Sequence, residues 1–219
     1  MAIDLEKHVE RSIARALAGE SKLPDEALFL EGMSSPTFRH FLNNLCDFRS
    51  ANYLEIGTHK GSTLIAAAYR NPGRFAAVDN FSEFGHSEPR KVLMETRKRF
   101  RRDCDFTFHD SDCWSASLLR RLPPGVNVYF YDGAHGYQDH YNAFVHYDTI
   151  FANRFVALVD DWNWPKVREG TRDAFAHLGY TTVFERQFRT RRIVSGKWWN
   201  GLLVAVMSKR RRRGPAARS

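Results

Sequence analysis

Between residues 51 and 179 short apolar runs alternate with helix-forming segments, and near the C-terminus that alternation stops. Strand-like runs at 51–57, 74–80, 104–110, 126–133 and 154–162 are each followed by a helical pattern, at 61–71, 87–100, 113–122, 136–151 and 167–179. Strands that are apolar nearly throughout, joined by helices, require a parallel sheet covered on both faces. The last two runs, 181–188 and 201–208, have no helix between them, only "RTRRIVSGKWWN". Such a pair closes the sheet antiparallel. The predicted fold is therefore an α/β, doubly wound, mostly parallel seven-stranded sheet with a terminal antiparallel strand pair.

Residues 1–49 read as a helical segment packing on that core. Residues 4–18 form one helix, and "SSPTFRHFLNNLCDF" forms another with Ser35 as cap and Pro36 in the first turn. Residues 50–208 make the α/β domain, and 209–219 a basic tail that reads as disordered. No run of 18 apolar residues is present, and the charged N-terminus reads as an amphipathic helix rather than a leader. A cytoplasmic enzyme or binding protein without a membrane partner is expected. Cys46, Cys104 and Cys113 have neither the number nor the spacing of a disulfide framework or zinc site, and read as reduced, apolar cysteines. Six of the eight net positive charges lie in the last eleven residues, which leaves +2 on residues 1–208. A basic tail on a nearly neutral body points away from nucleic acid as the partner.

In open α/β sheets ligands sit beyond the carboxyl ends of the strands. The first strand ends "YLEIGTHKGST", with Glu55 followed by Gly57, Thr58 and Gly61. Gly57 allows positive φ and close approach of a ligand. Gly61 opens a helix whose free N–H groups favour an anion, with Ser62 and Thr63 adding hydroxyls. The loop lacks the middle glycine of the dinucleotide fingerprint, which argues against a pyrophosphate there. A plain strand-to-helix turn remains the alternative. The second strand ends in Asp79, 22 residues after Gly57 and followed by Asn80. An acid at that tip suits the two hydroxyls of a ribose. The third strand ends His109-Asp110-Ser111-Asp112. Together these tips favour a nucleoside site.

The E-x-G-x-x-x-G loop, the acid after the second strand and the terminal strand pair resemble the class I S-adenosylmethionine-dependent methyltransferases over roughly residues 50–208. That resemblance implies a Rossmann-like fold. It further implies that the backbone near Gly57 and Thr58 holds the methionine part of the cofactor, Asp79 the ribose, and Ser111 with Asp112 the adenine side.

The fourth strand ends "YFYDGAHGY" and the fifth "ALVDDWNWP", which sets Asp132 and the pair Asp160–Asp161 at neighbouring tips 28 residues apart. Three converging carboxylates repel one another, and a hard cation such as Mg²⁺ relieves that. The alternative is that Asp160 and Asp161 cap the next helix or pair with Arg168 or Arg172. The two motifs are similar to those of metal-dependent sugar O-methyltransferases, the macrocin O-methyltransferase-like group. Catechol-type enzymes have similar spacing with Asn in place of Asp161. The resemblance implies Asp132, Asp160 and Asp161 as Mg²⁺ ligands, with Asp132 also in the cofactor site, and His135 as general base. An imidazole suits proton removal near neutral pH, although a structural histidine is the alternative. The acceptor implied is a small hydroxylated molecule, a sugar or glycosylated metabolite. Cephalosporin hydroxylase-like proteins look similar over the same region, and the tail suggests an RNA-modifying or RNA-binding protein as a further alternative. Trp162, Trp164, Phe81 and Phe84 are candidates for an apolar wall. Segment 189–201 is a lid, a dimer contact or an anion clamp. The N-terminal helices cover the site or build a homo-oligomer interface.

Overall fold

The structure is a computed structural model that describes residues 3–83, 85, 87–190 and 196–209. Its seven strands are β1 (Asn52–Ile56), β2 (Arg74–Asp79), β3 (Thr107–Asp110), β4 (Val126–Tyr131), β5 (Phe151–Val159), β6 (Thr181–Phe188) and β7 (Leu202–Ser208), in the spatial order β3-β2-β1-β4-β5-β7-β6. The first five pair in parallel. β7 runs antiparallel to both β5 and β6 and lies between them. The order reverses between β1 and β4, so the loops after these two strands diverge and leave a crevice at the carboxyl edge.

The helices are α1 (Leu5–Leu17), α2 (Asp25–Leu28), α3 (Pro36–Leu45), α4 (Ser62–Ala68), α5 (Ser87–Arg99), α6 (Ala116–Leu119), α7 (Tyr137–Val145) and α8 (Pro165–His177). Side-chain alternation along the strands divides the core in two. On one face Tyr53, Ala77, Phe130, Leu158 and Val204 pack against α1, α3 and α4. On the other Leu54, Val78, Tyr129, Val159 and Leu203 pack against α7 and α8. The N-terminal helices join the first face: α1 buries Leu5, Val9, Ser12 and Ala16, spaced one helical turn apart. α3 starts where the sequence signals, with Ser35 Oγ accepting from Phe38 N at 3.1 Å and Pro36 at its first position. No helix among the described residues is long and apolar enough to cross a membrane.

The structure departs from the sequence reading chiefly in the helices and at the ends of two strands, β3 starting at Thr107 rather than at 104. The helix expected over 113–122 is only Ala116–Leu119. Asp112 Oδ1 accepts from Trp114 N at 3.0 Å, and the Cys113 carbonyl accepts from Tyr147 Oη at 2.5 Å, so the first residues are held in an Asx-type turn. The helix expected over 136–151 ends at Val145, and a single 3₁₀ turn, Asp148–Ile150, swings Phe151 into register with Val126, so β5 begins three residues early. α2 has no counterpart in the sequence reading, being a single turn without periodicity. Of the basic tail, residues 210–219 lie outside the described residues, as does Phe84.

Candidate functional site

A cavity of about 550 Å³ opens beyond the carboxyl ends of β1 to β5. That is within the range of small-molecule and cofactor sites. Gly57, Asp79, Asn80, Ser111, Asp112, Asp132, His135, Asp160 and Asp161 all line it. Glu55, Thr58, Gly61 and Ser62 do not.

The glycine loop has two physical requirements. Gly57 has φ of +84°, and a Cβ there would sit 2.0 Å from the Asp132 carbonyl oxygen. The tips of β1 and β4 are thus in backbone contact, which only glycine permits. Gly61, also at φ +84°, caps α4 and would press a Cβ against Leu93. Asp79 braces this loop. Its Oδ2 accepts from Thr58 N at 2.9 Å and His59 N at 2.7 Å, and its Oδ1 from Phe81 N at 2.7 Å. A carboxylate has about four acceptor positions, so about one is left for a ligand hydroxyl. Asp79 therefore shapes the cavity first. Glu55 lies beneath the loop, fully buried, and accepts from Tyr53 Oη at 2.5 Å and Thr63 Oγ1 at 2.7 Å. Burial pushes its carboxyl up to about 7, against the pull of those hydrogen bonds. The acid in "YLEIG" ties β1 to α4.

The acids on β4 and β5 sort into a pair and a dyad. Burial, and then the neighbouring carboxylates of Asp160 and Asp161, hold Asp132 well above the carboxylate range. Burial and then Asp161 push Asp160 up to about 7. Asp132 and Asp160 are neighbouring buried carboxyls, and burial favours the protonated form of both. Asp161 faces elsewhere. It has φ of +53°, and its Oδ2 lies 3.1 Å from His135 Nδ1 while its Oδ1 accepts from Asn200 Nδ2. The three carboxylates are thus not gathered into one cage, and among the described residues no three His, Cys, Asp or Glu side chains are arranged to hold a metal ion. Two of the three, Asp132 and Asp160, remain as neighbours that a cation would suit.

Two rings neighbour His135. Trp164 meets it edge-on at 5.0 Å and His140 stacks at 6.5 Å. Burial, and then His135, push His140 down to about 3, so it is a neutral spacer. His59, Phe81 and Asp161, all at the cavity, are among the five described non-glycine residues with positive φ. Such strain persists where surrounding structure enforces it, and it clusters at functional sites.

Of the expected aromatic wall, Phe81 and Trp164 line the cavity. Trp162 does not: it is fully buried, donates from Nε1 to Gln187 Oε1 at 2.9 Å, and carries Arg172 over its ring. Met33, Trp114 and Asn200 line the cavity without having been expected there. Trp114 follows the β3 tip so closely that an aromatic within reach of Ser111 and Asp112 was a readable signal. Met33 arrives on a loop held by buried Arg39, which donates to the carbonyls of Leu28 at 2.8 Å and Leu30 at 2.6 Å and to Ser34 Oγ at 2.9 Å. Burial pushes this guanidinium down to about 10.

No protein-family profile matches this sequence, and no curated protein matches it. Solved structures do match the fold. The O-methyltransferase TomG from Streptomyces achromogenes, involved in tomaymycin synthesis and solved in complex with SAM, superposes with a TM-score of 0.60 at 18% identity, over 94% of this chain and 100% of that one. An O-methyltransferase from Bacillus cereus in complex with SAH gives 0.59 at 16%, over 95% and 93%. TrmN from Thermus thermophilus gives 0.56 at 14%, over 84% and 52%, so this chain spans about half the length of TrmN. A putative RNA methyltransferase from Pyrococcus horikoshii shares the fold as well. At these identities the likeness is one of fold: the seven-stranded Rossmann-like sheet of SAM-dependent methyltransferases.

Proposed function

We propose that this protein is an O-methyltransferase that moves the methyl group of S-adenosylmethionine to a hydroxyl of a small molecule, a sugar or glycosylated metabolite. The observation that carries this reading is the His135–Asp161 dyad, 3.1 Å apart, opening onto the same cavity as the glycine loop and Asp79. When bound, the cofactor would supply an electrophilic sulfonium methyl, which passes in line to an acceptor oxygen as the S–C bond breaks and S-adenosylhomocysteine leaves. The cavity suits it: about 550 Å³, with carboxylates at the β2 and β3 tips for hydroxyl and amine donors, and Trp114 and Phe81 for an aromatic ring. Asp79 holds the loop on which the cofactor would rest. Asp161 Oδ2, 3.1 Å from His135 Nδ1, favours hydrogen on that nitrogen, which leaves Nε2 to take the acceptor's hydroxyl proton as the oxygen bonds to carbon. Trp164 and His140 narrow the placements open to that ring, which favours positioning of the base before substrate arrives.

Bound Mg²⁺ is a second reading, favoured by the mutual repulsion of Asp132 and Asp160. These two residues would hold the ion, and the ion would supply charge stabilisation for an acceptor oxygen. Calorimetric titration with Mg²⁺ on wild type and Asp160→Asn decides it: heat lost in the variant supports the ion, no heat in wild type removes it.

The function is tested by following labelled methyl from S-adenosylmethionine into a panel of sugars, glycosides and catechols, with His135→Gln alongside. Transfer by wild type that falls by about 10²–10⁴-fold in the variant is expected. Transfer that survives the substitution unchanged overturns His135 as base. Transfer to RNA but to no small acceptor overturns the substrate class.

A further inference from the structure

Between β6 and β7 only Asn200 has entered the account above, yet a chain of side-chain amides runs from Thr190 through it toward His135. The chain begins at Thr190, whose backbone N–H donates to Asn163 Oδ1 at 3.0 Å. A backbone N–H can only donate, so the Asn163 amide is turned with its oxygen toward Thr190. Its Nδ2 then donates to Thr190 Oγ1 at 2.7 Å and to Asn200 Oδ1 at 3.2 Å. That contact in turn fixes Asn200, whose Nδ2 donates to Asp161 Oδ1. Asp161 is left with Oδ2 toward His135 Nδ1. A carboxylate repels a lone pair and attracts an N–H, so this approach favours hydrogen on Nδ1 and the lone pair on Nε2.

The backbone holds these groups tightly. Asn163 N donates to the Asn200 carbonyl at 3.2 Å and Trp162 N to the Gly201 carbonyl at 3.3 Å. Gly201 has φ of +90°, and a Cβ there would lie 2.8 Å from Asn163 Oδ1. Asn200 is 3% exposed, so water does not compete for its amide. Every donor in the chain meets an acceptor, and reversing any one amide would set donor against donor or acceptor against acceptor.

We propose that Asn200, oriented by Asn163, is a positioning residue that sets the tautomer of His135 through Asp161. The proposal rests on the reading of His135 as the base. It also gives Thr190 a part in the site, because the polarity that reaches the imidazole starts there.

The test is ¹⁵N NMR of the imidazole in protein labelled at histidine, at a pH where His135 is neutral, with His135→Gln to assign the signal. Wild type is expected to show hydrogen on Nδ1. In Asp161→Asn, Asn200 still donates toward position 161, so the new amide presents its oxygen to Asn200 and its NH₂ to His135. The ring then switches to hydrogen on Nε2, and kcat falls by about 10²–10⁴-fold, the range of a lost general base. The swapped double variant Asp161→Asn with Asn200→Asp puts an acceptor at 200, turns the amide at 161 around, and restores hydrogen on Nδ1 with most of the lost kcat. A merely structural Asn200 predicts no such rescue. Hydrogen on Nε2 in wild type overturns the proposal without any variant, as does Asp161→Asn that keeps Nδ1–H, or a folded double variant that does not recover it. The NMR readout needs no substrate. Failure of methyl transfer with the expected tautomers would therefore sink the functional reading and leave the relay standing. Wrong tautomers in an active enzyme would do the reverse.

Discussion

Glu55 offers a quantitative test of how the glycine loop is built. Its carboxyl is fully buried and pushed up to about 7, from an ordinary value of 4.5. Below pH 4.5 the folded and unfolded chains are both protonated at this position. Between pH 4.5 and 7 the unfolded chain releases the proton and the folded chain keeps it, so stability falls as pH rises. Above pH 7 the loss is complete. At about 1.4 kcal/mol per unit over roughly 2.5 units, this group alone removes about 3 kcal/mol. Other groups titrate in the same window, so the informative quantity is the difference between wild type and Glu55→Gln, which cannot ionise. For a chain of this size about 2–4 °C of Tm accompanies each kcal/mol. The Tm of the variant relative to wild type should therefore rise by roughly 6–12 °C from pH 4.5 to pH 8 in thermal unfolding followed by circular dichroism. A difference that stays flat across that range would refute the reasoning, because it would mean that Tyr53 and Thr63 hold the ionised form as well as water does.

Gly57→Ala combines a strained φ with a Cβ driven into the Asp132 carbonyl; a loss of at least ~2 kcal/mol in denaturant unfolding and a sharp loss of cofactor affinity are expected. Asp79→Ala frees the Thr58, His59 and Phe81 amides together, so it should raise amide exchange across residues 57–61 even without ligand, which a residue that only touched ribose would not do. Arg39→Met removes the donors that hold the carbonyls of the loop bearing Met33; a destabilisation of about 3 kcal/mol in urea unfolding is expected, since hydrogen bonds to charged groups are worth about 1.5–3 kcal/mol each.

Much of the fold was legible because its signals are local. Apolar runs without interruption, helical patterns between them, and Ser35-Pro36 at the start of α3 each specify one element. The missing helix before residue 201 specified the antiparallel end. Strand tips also foretold which acids face the cavity, since Asp79, Asp132, Asp160 and Asp161 stand at carboxyl ends. What the acids bind was not legible. The direction of Asp161 depends on its positive φ and on Asn200, a residue about 40 positions away with no periodic signature. Trp162 and Trp164 stand two apart, yet one is core and the other lines the cavity, because α8 begins directly at Pro165. Asp79 carries a loop-bracing role that only three-dimensional contacts reveal.

The most direct measurement is calorimetric titration of the protein with S-adenosylhomocysteine and S-adenosylmethionine, wild type beside Gly57→Ala. The account predicts one site per chain with micromolar affinity in wild type, and loss of that heat in the variant. No heat from either ligand with folded wild-type protein would contradict it, and the glycine loop would then be a strand-to-helix turn over a cavity with another occupant.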